Sequence, residues 1–270
     1  MDGKALMAAR YGNALPTTGV PLTPVMELMM QHRSVRHYTE QPLPEGALET
    51  LIAAGQSGAT SSNMQPISVI AVTDPDRKKR FSEAASGQSF VAEAPVILCF
   101  ALDQSRPARI GADKGEDLWA LPLLDNFLAG ATDAAIFAQN VLLAAQSMGL
   151  GGCYIGNFRN DPEFMARELS LPSQAVVLFG MALGYEAEPQ TGIRPRLPQS
   201  VVLHHEHYST DVETTALQDY DAIFAEHEVA QGRPETTWTD RHKARYANRD
   251  YLSGRINLRA ILGRMGFPLS

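Results

Sequence analysis

Cysteine is scarce: Cys99 and Cys153 are the only two in 270 residues. They stand far apart in apolar surroundings. Neither has a second Cys or a His at metal-ligand spacing, so no disulfide framework and no metal site is predicted. That usage fits a reducing cytoplasm. Long apolar runs are also missing. No uninterrupted stretch approaches the ~20 residues of a membrane span. The segment from Met1 to Thr23 carries Lys4 and Arg10 and has no apolar core, so neither a membrane partner nor a secretory signal is expected. Basic charge is in the minority, with 23 Lys and Arg against 30 Asp and Glu and a net charge of −7. No extended basic face is offered to nucleic acid. A recognisable Ser-His-Asp or Cys-His arrangement is absent too.

What the chain does have is apolar content, 44% of residues, which is ample for a sizeable core. It also has a tight cationic knot, His32-Arg33-Ser34-Val35-Arg36-His37, placed where an apolar helical run gives out. On an acidic background, such a knot points to a local anion site. Arginine suits phosphate because its planar fork binds two oxygens at once. The same pattern suits a solvated helix end, with cations offsetting the helix dipole. A second cluster, Arg194-Pro195-Arg196, has a proline that fixes the backbone between two cations.

The element pattern mixes helices and strands irregularly. Residues 1–22, rich in Gly, Pro, Thr and Ala, read as an extended N-terminal arm, and 23–270 as one domain ending in a helical arm. Thr23-Pro24 starts a helix, with Thr as N-cap and Pro in the first turn. Pro44-Glu45 starts another that runs to about Ser57. Asp74-Pro75 caps a third, with Arg77-Lys78-Lys79-Arg80 as a solvated face. Asp161-Pro162 starts a short one. Strands are predicted at 67–72, 95–102 and 175–185, with a fourth candidate at 200–204; 95–102 is apolar on both faces and therefore central. The stretch 125–148 reads as a long helix of small residues, buried all round, either at the centre of a domain or across a subunit interface. From Thr214 on the chain is polar and helical, with a break at Gly232-Arg233-Pro234. Strict βαβ alternation is lacking, so the fold class is α+β.

Gly149-Leu150-Gly151-Gly152 with Gly156 imitates a dinucleotide fingerprint. The spacing is wrong, and a helix precedes it where a strand is required. It reads better as a helix C-cap at Gly149 and a tight loop into Cys153-Tyr154-Ile155-Gly156. Glycines there let a backbone lie flat against a planar ligand. His204, His205 and His207 with Glu206 lack a further ligand, and no metal is assigned to them.

Four segments in order carry a family resemblance: His32-Arg33-Ser34-Val35-Arg36; Thr60-Ser61-Ser62-Asn63-Met64-Gln65-Pro66; Gly149 to Arg159; and Arg194-Pro195-Arg196-Leu197-Pro198. Together they resemble the FMN-dependent nitroreductase superfamily, and within it the oxygen-insensitive NADPH nitroreductase and NADPH-flavin oxidoreductase subgroup. The resemblance spans roughly residues 24–255. It implies a mainly antiparallel sheet flanked by helices, in an intertwined homodimer with FMN at the interface. It implies that Arg33, Ser34, Arg36, Arg194 and Arg196, with His32, hold the FMN phosphate and ribityl chain. Thr60, Ser61 and Asn63 would reach the flavin from the partner subunit, and Gln88 would bond the ribityl chain or pyrimidine edge. Tyr154, Ile155 and Gly156 would lie along the isoalloxazine, with a backbone N–H near N5. Asn157, where relatives often have Gly, would crowd the flavin edge or add a hydrogen bond.

The activity implied is ping-pong hydride transfer from NAD(P)H, NADPH favoured over NADH, to a small electron-poor acceptor such as a nitroaromatic, a quinone or a free flavin. No side chain need act as nucleophile or general base, since the flavin does the redox work. A basic region near the C-terminus, with Arg233 and Arg241 and then Lys243 and Arg245, would recognise the NADPH 2′-phosphate; an ordinary basic helix face fits it equally. Other chemistry on the same scaffold, such as reductive dehalogenation or flavin modification, and a flavin-binding sensor or storage protein are the alternatives.

Overall fold

The computed structural model describes residues 2–12, 21–188 and 192–270. The chain divides into two compact units, Met1–Arg33 with Pro189–Leu252, and Ser34–Glu188 with Ser253–Ser270.

The larger unit is built on one strand. Val96–Asp103 is buried at every position. Call it β2. It pairs antiparallel with β1, Ile67–Val72, on one side. On the other it pairs antiparallel with β4, Ala175–Gly184. β3, Gly151–Ile155, adds to the far edge of β4 and completes a four-stranded sheet in the order β1-β2-β4-β3. Successive side chains of a strand point to opposite faces, so a strand apolar throughout demands cover on both. Ile97 and Cys99 meet Phe81, Phe90, Val91, Phe158 and Met165 on one face. Those residues come from helices Pro75–Ala84, Ser89–Glu93 and Pro162–Glu168 and from the turn Gly156–Asn160. Val96, Leu98 and Phe100 meet Leu51, Ala138, Val141, Leu142 and Ala145 on the other. Their cover is helix Ala47–Gln56 and the long helix Leu124–Ser147. The C-terminal helix Leu258–Arg264 closes one end through Leu262, beside Met265 and Phe267. The α+β class and the antiparallel sheet are as predicted.

The smaller unit contains helices Gly3–Tyr11, Pro24–Met30, Gln199–Val202, Glu213–Ala230 and Trp238–Ala247. Thr23 caps the second as expected, its Oγ1 accepting from the Met26 N–H at 3.4 Å.

Five expectations need correction. Residues 3–11 form a helix rather than an extended arm, started by Asp2, whose Oδ1 accepts from the Ala5 N–H at 2.8 Å. The rest of the arm, 13–20, lies outside the described residues. Lys78 does not join a solvated face: it is buried, and its Nζ donates to the Ala94 carbonyl at 2.6 Å. Burial lowers its pKa. The candidate strand at 200–204 does not form: Gln199–Val202 is a helical turn after Pro198. The fourth strand is instead Gly151–Ile155, which the glycines disguise. Finally, the long helix is not buried all round. Gly130, Ala134, Ala138, Val141, Leu142 and Ala145 face inward, while Leu124, Leu128 and Ile136 remain exposed. This helix is long and apolar enough to cross a membrane by length and composition alone. Its inner face is occupied by the sheet, as in the core helix of a globular fold.

The glycines of β3 serve packing. Segment Ser34–Tyr38 runs alongside it, with a parallel bridge from Ser34 to Gly152 and the Val35 N–H donating to the Gly152 carbonyl at 3.1 Å. A Cβ at Gly151 would sit 2.5 Å from Val35 Cγ2, and one at Gly152 2.8 Å from Leu142 Cδ1. Gly151 thus admits the segment Ser34–Tyr38, and Gly152 admits the long helix. Gly151→Ala is expected to destabilise the protein by about 1–3 kcal/mol through overpacking. Urea denaturation measures it, and Gly151→Ala with Val35→Ala should recover part of the loss. A single variant as stable as the parent would refute this account.

Candidate active site

In the smaller unit both cationic segments converge on Arg10. This side chain is 4% exposed. Its Nη2 donates to the His32 carbonyl at 2.7 Å, its Nε to the Met30 carbonyl at 3.1 Å, and its Nη1 to the Arg194 carbonyl at 2.8 Å. The Arg196 N–H in turn donates to the Arg10 carbonyl at 2.7 Å. His32 and Arg33 therefore leave helix Pro24–Met30 on a path fixed relative to Arg194–Arg196. The Tyr220 hydroxyl donates to the Pro195 carbonyl at 3.0 Å and steadies the same loop. Pro195 is buried while Arg196 is exposed. A cavity of about 720 Å³ opens here, lined among others by Tyr11, Arg194, Arg196, Tyr220, Trp238 and Arg241.

Beneath that cavity Glu228 is fully buried and meets three arginines: Arg233 at 2.8 Å, Arg194 at 3.7 Å, and Arg241. A buried carboxylate requires such pairing, because desolvation otherwise outweighs its charge. Three cations on one anion leave a local excess of positive charge. Arg241 also lies over the Phe224 ring, 5.0 Å from its centroid. Arg233 and Arg241 are thus brought together by a carboxylate that sequence reasoning did not single out.

In the larger unit, Arg36 lies 5.9 Å from the Phe90 ring centroid, and its charge favours the thiolate of Cys153. Burial nevertheless pushes the Cys153 thiol up. Tyr38 anchors the segment: its hydroxyl donates to the Val35 carbonyl at 2.6 Å, and burial raises its pKa. On β3, Cys153 and Ile155 point into the core while Tyr154 points the other way, 5.6 Å from Phe179 in an edge contact. Burial also raises the Tyr154 pKa. Gly156 begins the turn Gly156–Asn160. Asn157 is committed to the protein: its Nδ2 donates to the Ala85 carbonyl at 3.1 Å, tying this turn to the end of helix Pro75–Ala84. Gln88 is half-buried and precedes helix Ser89–Glu93; its carbonyl accepts from Ser82 Oγ at 2.8 Å.

Thr60 and Ser61 are organised by Asp133 of the long helix, and the Asn63 N–H donates to the Thr60 carbonyl at 3.3 Å. Asp133 is 4% exposed; its carboxylate accepts from Thr60 Oγ1 at 2.6 Å and from the Ser61 N–H at 3.0 Å. Ser62, Asn63 and Gln65 all carry positive φ, at 48°, 56° and 51°. Left-handed backbone at non-glycine residues costs roughly 1–2 kcal/mol each. The loop keeps this shape because Asp133 holds one end and Arg106 the other, its Nη1 donating to the Gln65 carbonyl at 2.7 Å. Strain concentrated in this way is characteristic of functional loops. The only sequence signal was an acidic residue inside a small-residue helix. Asp133→Ala is expected to cost about 1–3 kcal/mol by removing hydrogen bonds to a charged acceptor, and to speed amide exchange across 60–65. Asp133→Asn, which keeps an acceptor, should recover part of both. Unchanged exchange in the alanine variant would contradict the assignment.

The chain matches the nitroreductase family over residues 29–185 and the nitroreductase family C-terminal domain over 194–270. Helix Gly3–Tyr11 and Arg10 precede the matched stretch. The FMN reductase (NADPH) of Bacillus subtilis is 36% identical over 222 residues, 80% of this chain and 88% of that protein. The NADPH-flavin oxidoreductase of Vibrio harveyi is 39% identical over 197 residues, 73% and 79%. Among solved structures, NfrA2 of B. megaterium superposes with a TM-score of 0.86 at 32% identity, covering 92% of this chain and all of that one. With the sheet, the ordered motifs and these likenesses in agreement, the chain belongs to the nitroreductase family.

Proposed function

We propose that this protein is an FMN-dependent oxidoreductase that takes hydride from NAD(P)H, NADPH favoured, and passes it to electron-poor small molecules. The observation that carries this reading is the pairing of the His32-Arg33 and Arg194–Arg196 segments by one buried residue, in a chain whose relatives are named FMN reductase and NADPH-flavin oxidoreductase. The donor chemistry fits a phosphomonoester. Guanidinium groups bind phosphate through charge-assisted, bidentate bonds, and like-charged arginines gain from an anion that neutralises them.

The residues proposed to hold the FMN phosphate and ribityl chain are Arg33, Ser34, Arg36, Arg194 and Arg196, with His32 and Gln88. Tyr154, Ile155 and Gly156 are proposed to lie along its ring, with Asn157 supporting their turn. When bound, FMN supplies two-electron transfer through N5 in a ping-pong sequence. The protein's part is to anchor the phosphate, to present an N–H at the ring edge and to shape access. No side chain need act as nucleophile or general base. Arg233 and Arg241, held by Glu228, are proposed for the NADPH 2′-phosphate, whose charge would offset the local cationic excess. Both thiols are free and buried, in keeping with a cytoplasmic setting.

A homodimer is part of the reading. The outer face of Leu124–Ser147 leaves Leu124, Leu128 and Ile136 at 46%, 55% and 37% exposure. A second copy would cover this face, as obligate dimers do. Thr60, Ser61 and Asn63 are then proposed to reach the flavin of the partner subunit.

Anaerobic titration with NADPH and NADH, followed by absorption, tests the activity. The purified protein is expected to be yellow, to release FMN on denaturation, and to bleach with NADPH at lower concentration than with NADH. A colourless protein with no affinity for added FMN would refute the reading. Sedimentation tests the assembly: the parent should run as a dimer and Leu128→Asp largely as monomer with reduced flavin content. A Leu128→Asp dimer of unchanged stability would remove this helix from the interface.

A further inference from the structure

We infer that Arg10, on the N-terminal helix ahead of the family match, is a positioning residue that sets the affinity of the cationic site for its anion. The inference rests on the proposed FMN function for the identity of that anion.

The argument begins with what Arg10 joins. Met30 and His32 are 20 and 22 residues away in the chain, and Arg194 is 184 away. One planar guanidinium bonds all three carbonyls, and the residue's own carbonyl receives the Arg196 N–H. These four bonds link the backbone on either side of two cationic motifs. The carbonyls themselves carry no recognition chemistry. Their role is to fix where the chain turns into Arg33 and where Arg194 and Arg196 depart.

The guanidinium also adds charge. Burial, and then the nearby charge of Arg196, lower its pKa to about 10, so it stays cationic at neutral pH. A buried cation beside Arg196 raises the cost of the empty site and favours an anion there. Geometry is the larger part. A planar fork with five donors spans three carbonyls at once, whereas an ammonium, a point charge with rotatable donors, does not. Preorganisation of this sort strengthens binding by reducing the ordering that the ligand must impose.

Helix Gly3–Tyr11 is otherwise a modest element, with Leu6 and Arg10 as its buried residues. Its start depends on Asp2, which caps the Ala5 N–H. That separates two explanations. If the helix matters only as packing, removing the cap should act like removing the guanidinium.

The test uses the full-length protein and measures FMN affinity by quenching of flavin fluorescence. For Arg10→Ala the dissociation constant is expected to rise about tenfold or more, the loss of roughly one charge-assisted hydrogen bond. At saturating FMN its kcat should stay near that of the parent. Arg10→Lys, which keeps charge without the fork, should fall between. Asp2→Ala, expected to lose about 1 kcal/mol of helix stability, should leave FMN affinity near the parental value. Amide exchange gives a readout independent of FMN: residues 30–33 and 194–196 should exchange faster together in Arg10→Ala and Arg10→Lys. Should Arg10→Ala fail to fold, Arg10→Lys and Arg10→Gln stand in for it under the same criteria. Parental FMN affinity in a folded Arg10→Ala, or an equal loss in Asp2→Ala, would overturn the inference. A parent that binds no FMN would defeat the proposed function instead. Exchange would then decide the brace: faster exchange in both segments supports it, and unchanged exchange overturns it.

Discussion

The larger unit follows from the burial of strand Val96–Asp103 on both faces. A strand without a polar side must be paired at both edges and covered above and below. Strands Ile67–Val72 and Ala175–Gly184 meet the first requirement, and two helical layers meet the second. Leu124–Ser147 is long because it must cross that sheet. Its small residues bring it close, so that Gly130 leaves room for Leu102 and Gly55 of the neighbouring helix leaves room for Phe137. A cylinder laid on a sheet can bury only part of its circumference. The remaining apolar face is therefore a consequence of the core.

Polar residues organise what the core leaves undetermined. Asp133 projects from the same helix and holds the strained loop at Thr60–Gln65. Glu228 gathers three arginines in the smaller unit. In both cases one buried carboxylate determines the position of several groups. Burial strengthens each interaction and raises the cost of losing a partner. The protein is acidic as a whole, yet Glu228 concentrates three arginines in one place.

Much of the frame was legible in the sequence, for local reasons. Thr23-Pro24, Asp74-Pro75 and Asp161-Pro162 are capping signals that depend only on neighbouring residues, and each starts a helix in the structure. Runs of β-branched and apolar residues located three strands. The fourth escaped because Gly151 and Gly152 lower strand propensity, and the reasons for them are tertiary: Val35, more than a hundred residues earlier, packs at Gly151, and Leu142 and Leu183 pack at Gly152. The run Arg77 to Arg80 looked uniformly solvated because composition does not show which cation meets a carbonyl; Lys78 does, at Ala94.

The candidate site divides along the same line. Its motif residues were legible as motifs, since two short clusters of arginine stand out from an acidic chain. The residues that aim them were not. Arg10, Asp133 and Glu228 stand singly in helices where one charge is unremarkable, and their partners are distant in sequence. A side chain recognising backbone carbonyls has no sequence complement at all, because every residue type offers a carbonyl. Arg10 is the extreme case: three acceptors, none identifiable by residue type, on two segments that only the fold brings within reach of one guanidinium. Clusters of charge can therefore be read from composition and order, while their placement depends on tertiary contacts that a single sequence does not display.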